Sequence, residues 1–261
     1  MTKLDKLYET IRQQSNLNQN KKVFAVFDFD NTCIVNDIAE ATLGYMARNN
    51  LFKCRNILPE LADLNTEELS EKVFKHYYGL LGAKNIRGAY EFGAKTLENL
   101  KTSEIGNLVE NVLNFEGTEI TKDGLFDIEI AKGIQTRTAV IDLIKYLQDR
   151  KVIVWVVSAS PAVLVAEALK HFAISTQLIG IRNVIEDGTI ISELNYPMSV
   201  IEGKVDCIKL FIDPEVKPIL GVGDNNNDLP MLEYSRIKVV VNRHNSLSEK
   251  AIQENWFMLE L

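Results

Sequence analysis

Four short apolar runs punctuate the chain, at residues 23–27 (VFAVF), 152–157 (VIVWVV), 218–223 (PILGVG) and 237–241 (IKVVV). None alternates apolar with polar positions, and valine or isoleucine recurs in them, which is the pattern of strands buried on both faces of a parallel sheet. Helical spacing fills the intervals. Leu4, Leu7, Tyr8 and Ile11 predict a short amphipathic helix over 2–14, with the polar SNLNQN stretch as a loop after it. Val140, Leu143, Ile144 and Leu147 make a stripe just before the second run. Val163, Ala166, Leu169 and Lys170 follow it on a helix over 161–170, whose first turn tolerates Pro161. A further helix is expected over 204–212, with Val205, Ile208 and Leu210 apolar, and another from Asp228-Leu229-Pro230. Strands and helices in this alternation predict an α/β fold with a doubly wound parallel sheet.

The first two runs are about 120 residues apart, far more than one crossover helix needs. That interval reads as helices over 37–48, 66–82, 86–100 and 103–114 with few strand signals. The clearest start is Thr66 with Glu67 and Glu68, leading into the stripe Leu69, Val73, Tyr77 and Leu80. The expectation is a core of residues 1–34 and 133–261 with a helical cap, residues 35–132, inserted after the first strand and lying over its end.

Composition narrows the function classes. Of 261 residues, 29 are Lys or Arg and 36 Asp or Glu, a net charge of −7 that argues against a nucleic-acid groove or an anionic membrane surface as the partner. Cys33, Cys54 and Cys207 are widely spaced with no CxxC pair, which suggests a reducing compartment. His76, His171 and His244 form no metal-ligand spacing. The first twenty residues hold no apolar segment of a signal peptide, and no apolar run reaches the length of a membrane span. A cytoplasmic location is expected.

In an open α/β sheet, ligands sit outside the carboxyl ends of the strands. The residues at those ends are Asp28 and Asp30, then Ser158, then Asp224 with Asp228. Helix capping accounts for a lone Asp after a strand, but not for Asp28 and Asp30 together. Asp28-Phe-Asp30-Asn-Thr32, Ser158, Lys204 and Gly223-Asp224-Asn-Asn-Asn-Asp228 resemble, in order, the four motifs of the haloacid dehalogenase superfamily of phosphatases.

A phosphate ester and its attacking carboxylate are both anions, so such a site must cancel charge while holding the nucleophile in line. Asp28 is the expected nucleophile, because a carboxylate is ionised at neutral pH without an activating base. Asp30, two residues and about 6–7 Å further along a strand, is the expected general acid and then base. A neighbouring carboxylate and partial burial raise its pKa toward that task. The resemblance implies a magnesium ion on Asp28, Asp224 and the backbone carbonyl of Asp30. Ser158, Lys204 and Asn227 would hold the phosphoryl group, aided by backbone N–H groups at the start of the 161–170 helix, and Asp228 would support the metal's waters or Lys204.

Within the superfamily the chain is similar to the phosphoserine phosphatase group, which carries a Glu for the substrate's amino group at the position of Asp37. It departs from that group in Ser158-Ala159-Ser160, where Ser-Gly-Gly is usual, in Asn225, and in a longer insertion. A related group acting on phosphocholine or phosphoethanolamine has Asn-Asp at the positions of Asn36 and Asp37. Phe74, Tyr77, Tyr78, Tyr90 and Phe92 are candidates for an aromatic cage, although their helical spacing also fits core packing. Arg48, Arg55 and Arg87 are candidates for a substrate carboxylate. The expected partner is therefore a small, amine-bearing phosphomonoester. A phospho-accepting receiver-type domain uses similar groups, but needs no acid at Asp30 and no cap; a phosphoprotein target stays open.

Overall fold

The computed structural model describes residues 3–16 and 23–260. Helix α1 (Lys3–Asn16) leads to strand β1 (Phe24–Phe27), and four helices follow: α2 (Ile38–Arg48), α3 (Thr66–Gly82), α4 (Ile86–Lys95) and α5 (Thr102–Glu116). A hairpin of β2 (Thr121–Leu125) and β3 (Ile128–Lys132) completes the insertion. The chain then runs α6 (Thr138–Gln148), β4 (Ile153–Pro161), α7 (Ala162–His171), β5 (Gln177–Glu186), β6 (Thr189–Asn195) and α8 (Glu202–Phe211). It ends with β7 (Leu220–Gly223), α9 (Leu229–Tyr234), β8 (Ile237–Val241), α10 (Ser246–Gln253) and β9 (Phe257–Leu259).

Seven strands form one sheet in the order β6-β5-β4-β1-β7-β8-β9. Every neighbouring pair is parallel except β5 with β6. The four apolar runs are its centre: every residue of β1 and of β7 is buried, and β1 lies between β4 and β7. Strands β5, β6 and β9 extend the sheet beyond the four predicted runs, and the β2–β3 hairpin adds a second, two-stranded sheet to an insertion expected to be helical. The polar stretch predicted as a loop begins inside α1, and its residues 17–20 lie outside those described. None of the described helices is long and apolar enough to cross a membrane.

Several helix faces differ from their predicted stripes because the covering neighbour decides which side is buried. On α7 the buried residues are Leu164, Val165, Ala168 and Leu169, not Val163, Ala166 and Lys170. On α8, Lys204, Cys207 and Ile208 turn inward while Leu210 is exposed. Asn65, rather than Thr66, caps α3, accepting from the Glu67 and Glu68 amides while Glu68 reaches back to the Asn65 N–H. Helix α4 stops at Lys95, five residues before the predicted end at 100.

The insertion is tied to the core on two sides. Near its exit, the Val35 amide donates to the Gln135 carbonyl, and Ile34 bridges Thr136. At its far side the Asn99 amide donates to Ile190, Ile190 donates to Leu100, and Thr102 donates to Gly188. Those bonds join the insertion to the tip of the β5–β6 hairpin.

Candidate active site

The site stands where β1 ends. The Asp28 amide donates to the Val222 carbonyl at 2.9 Å, so the ladder between β1 and β7 extends to the first carboxylate. The chain then turns sharply, with the amides of Thr32, Cys33 and Ile34 all directed at the Phe29 carbonyl. Asn31 and Asn36 take the left-handed conformation at φ 61° and 62°, which asparagine tolerates better than most residues.

Lys204, from the first turn of α8, is 1% exposed and donates to Asp28 Oδ1 and Asp228 Oδ1, each at 2.6 Å. Asp228 accepts from the Asp224 amide through its other oxygen at 3.0 Å, closing the turn after β7. That turn needs glycine at position 223, where a Cβ would stand 2.5 Å from the Asp228 Cβ. One carboxylate oxygen from each of Asp28, Asp224 and Asp228 lies within 4.8 Å of the others. Three buried oxygen donors so close together suit a hard divalent cation. The carboxylate of Asp30 is not in that cluster.

Asp30 faces the other way. Its Oδ1 accepts from the Ile38 amide at 2.8 Å, and its Oδ2 accepts from the hydroxyls of Ser158 at 3.1 Å and Ser160 at 2.7 Å. Both serines reach it because β4 continues to Pro161, past the predicted end at 157, with its register against β5 shifted between Val157 and Pro161. Burial, then Asp37, pushes the Asp30 carboxyl up to about 8. Burial and Asp228 raise Asp28 well above the ordinary carboxylate range, against the pull of Lys204. Burial also opposes the charge on Lys204, but Asp228 and Asp28 outweigh it and hold the ammonium above its usual range. Asp224 rises to about 6 through burial and Asp228, opposed by Arg243.

Arg243, just beyond β8, is not among the residues the motifs point to; it donates to Asp224 Oδ2 at 2.7 Å. Asn245 donates to the Asp224 carbonyl at 2.8 Å, and Asn225 to Asp224 Oδ1 at 2.9 Å. The available signal was polar residues in the turns after two buried strands, Asn225 after β7 and Arg243 with Asn245 after β8. Asn227, expected to touch phosphate, is half-buried, with its amide held by the Asn225 side chain.

Asp37 is the N-cap of α2, accepting from the Ala39 and Glu40 amides at 2.8 and 2.9 Å through one oxygen. Burial, then Glu40, lifts it to about 8. Tyr77 donates to Glu40 at 3.3 Å, and Tyr77 and Tyr90 line a small cavity with Ala39, Gly93 and Pro161. Of the other aromatic candidates, Phe74 and Phe92 are core residues, and Tyr78 packs on Phe74 and Tyr77. Two arginine candidates are engaged elsewhere: Arg48 with Asp123 at 2.7 Å, and Arg55 with the carbonyls of Ala62 and Leu64. Arg87 is exposed.

No curated protein matches the sequence. A solved structure of a conserved functionally unknown protein from Anaerococcus prevotii DSM 20548 is similar over 96% of this chain and 89% of its own, at 23% identity and TM-score 0.70. A protein with unknown function from Bordetella pertussis Tohama I is similar over 91% of this chain and 98% of its own, at 17% identity and TM-score 0.68. A substrate-bound phosphoserine phosphatase covers 85% of this chain and 87% of its own, at 17% identity and TM-score 0.52. These likenesses concern the fold. The model of the haloacid dehalogenase-like hydrolases matches residues 25–233, most of the chain and all of the motifs above, and the chain belongs to that family.

Proposed function

We propose that this hydrolase is a magnesium-dependent phosphomonoesterase that acts through an aspartyl-phosphate on a small, amine-bearing phosphate ester. The observation that carries the reading is the separation of two carboxylates two residues apart. Asp28 lies against Lys204 and the Asp224–Asp228 cluster, whereas Asp30 is turned onto two hydroxyls and an amide.

In the first step Asp28, whose ionised form Lys204 and a bound cation would favour, attacks phosphorus through one oxygen and the bond to the ester oxygen breaks. Asp30, raised to about 8 and so carrying a proton at neutral pH, gives that proton to the departing alkoxide. In the second step Asp30 takes a proton from water, whose oxygen attacks phosphorus, releasing inorganic phosphate and restoring the Asp28 carboxylate. Lys204 holds Asp28 and a phosphoryl oxygen; Ser158 and Asn227 hold the others. Magnesium would be held by Asp28, Asp224 and the Asp30 carbonyl with Asp228 beside them, and supplies positive charge for the phosphoryl oxygens.

The amine preference is supported by Asp37 and Glu40. Among the described residues neither forms an ion pair with a lysine or arginine, although Asp37 is buried. A substrate ammonium would favour the ionised form of Asp37 and offset its charge, with Tyr77 and Tyr90 alongside. The insertion acts as a cap that keeps bulk water from the aspartyl-phosphate.

A panel of phosphoserine, phosphocholine, phosphoethanolamine, a sugar phosphate and 4-nitrophenyl phosphate tests this. Phosphate release should require magnesium, and Asp37→Asn should raise KM for the amine-bearing esters about ten-fold more than for the aryl ester. Equal changes in KM would remove Asp37 from substrate recognition.

A further inference from the structure

We propose that Ser160 is a positioning residue that fixes the Asp30 carboxyl group for proton transfer while Ser158 is occupied by the phosphoryl group. This role rests on the acid–base assignment of Asp30 made above. Three donors hold Asp30, and they are not equivalent. The Ile38 amide takes Oδ1; on Oδ2 the Ser160 hydroxyl is at 2.7 Å and the Ser158 hydroxyl at 3.1 Å.

Ser158 has a single hydroxyl proton, and its oxygen already accepts from the Ser160 amide at 2.9 Å. When that proton turns to a phosphoryl oxygen, its bond to Asp30 is given up. Ser160 has no such second task. The residue is 1% exposed, and among the described residues Asp30 is its hydroxyl's hydrogen-bond partner. Its backbone is equally fixed: β5 passes so close that a Cβ on Gly180 would stand 2.9 Å from the Ser160 carbonyl and 2.8 Å from the Ala162 Cα. A buried hydroxyl on a closely packed stretch, aimed at one carboxyl oxygen, selects one Asp30 rotamer.

The consequence is specific to the leaving group. An alkoxide leaves with a proton from the acid, whereas 4-nitrophenolate leaves readily without one, so a misplaced Asp30 harms alkyl esters more than aryl esters. kcat/KM reports this first, bond-breaking step even where hydrolysis of the aspartyl-phosphate limits kcat.

The experiment compares kcat/KM for phosphoethanolamine and 4-nitrophenyl phosphate in the wild-type protein, Ser160→Ala, Ser160→Thr, Ser158→Ala and Asp30→Asn, with inhibition by inorganic phosphate measured for each. Ser160→Ala should lower the alkyl-to-aryl ratio about ten-fold with phosphate inhibition unchanged. Asp30→Asn should lower that ratio further, Ser160→Thr should retain it, and Ser158→Ala should weaken phosphate inhibition. Equal losses on both esters, or an unchanged ratio, in Ser160→Ala would overturn the role. A wild-type protein inactive on every ester in the panel would overturn the phosphatase reading and this role with it. Ser160→Cys, close in shape and a weak donor, carries the same comparison if the alanine variant does not fold.

Discussion

Asp28 and Asp30 are two residues apart and keep different partners, although burial and neighbouring acids raise both carboxyls. The first is bound to an ammonium; the second is bound to neutral donors beside another acid. Their presence was legible because carboxylates at the end of a buried apolar run contradict burial unless something offsets them. Lys204, Asp224 and Asp228 were legible by the same reasoning together with their order along the chain. Arg243 and Asn245 were not, because a polar residue in a surface turn needs no explanation until tertiary contacts bring it to Asp224. Asp37 yields a prediction at this scale. Its pKa is raised to about 8 from an ordinary value near 4, so the folded state binds its proton more tightly than the unfolded state. The associated stability is present below about pH 4 and is lost as pH rises through about 8. Asparagine keeps the helix cap without the charge. The urea midpoint of the wild-type protein should therefore fall more between pH 5 and pH 8 than that of Asp37→Asn, and parallel curves would contradict the assignment.

At the scale of elements, the four central strands announced themselves as uninterrupted apolar runs, whereas the sheet's edges did not. Strand β6 is partly exposed and antiparallel, and β9 has three residues. The β2–β3 turn places Phe126 and Asp127 at φ 50° and 64°, a conformation usually filled by Asn-Gly, so no turn signal marked that hairpin. By contrast, Asp187-Gly188 in the β5–β6 turn is such a signal, with Ile185 and Ile190 one position beyond its polar neighbours. This turn also fastens the insertion, since Gly188 accepts from both the Thr102 amide and its hydroxyl. Gly188 stands at φ 75°, with no atom of another residue closer than 3.9 Å to a built Cβ, so a side chain there costs conformational strain rather than collision. Gly188→Val should destabilise the protein by about 1–2 kcal/mol. Hydrogen exchange should speed up at the Asn99, Thr102 and Ile190 amides while the β1–β7 amides keep their protection. Uniform acceleration across both regions would show that the turn is not a local fastening.

Across the whole molecule, the sheet delivers Asp28, Ser158 and Asp224 to the carboxyl ends of its central strands, and the insertion supplies Asp37, Glu40 and two tyrosines nearby. The doubly wound core followed from strand and helix periodicity alone. The insertion's packing did not, because α2 to α5 bury faces chosen by one another and by α7. The site gathers the carboxylates of Asp28, Asp224 and Asp228 around Lys204 and Arg243, and a divalent cation would offset the negative charge left over and add positive charge for a phosphoryl group. The central claim is that phosphoryl transfer passes through Asp28. Its most direct measurement is acid-quenched mass spectrometry of the magnesium-loaded protein during turnover of 4-nitrophenyl phosphate. The account predicts a transient, hydroxylamine-sensitive phosphoryl group on the peptide carrying Asp28, absent from Asp28→Asn. Steady phosphate release by Asp28→Asn at the wild-type rate would contradict it.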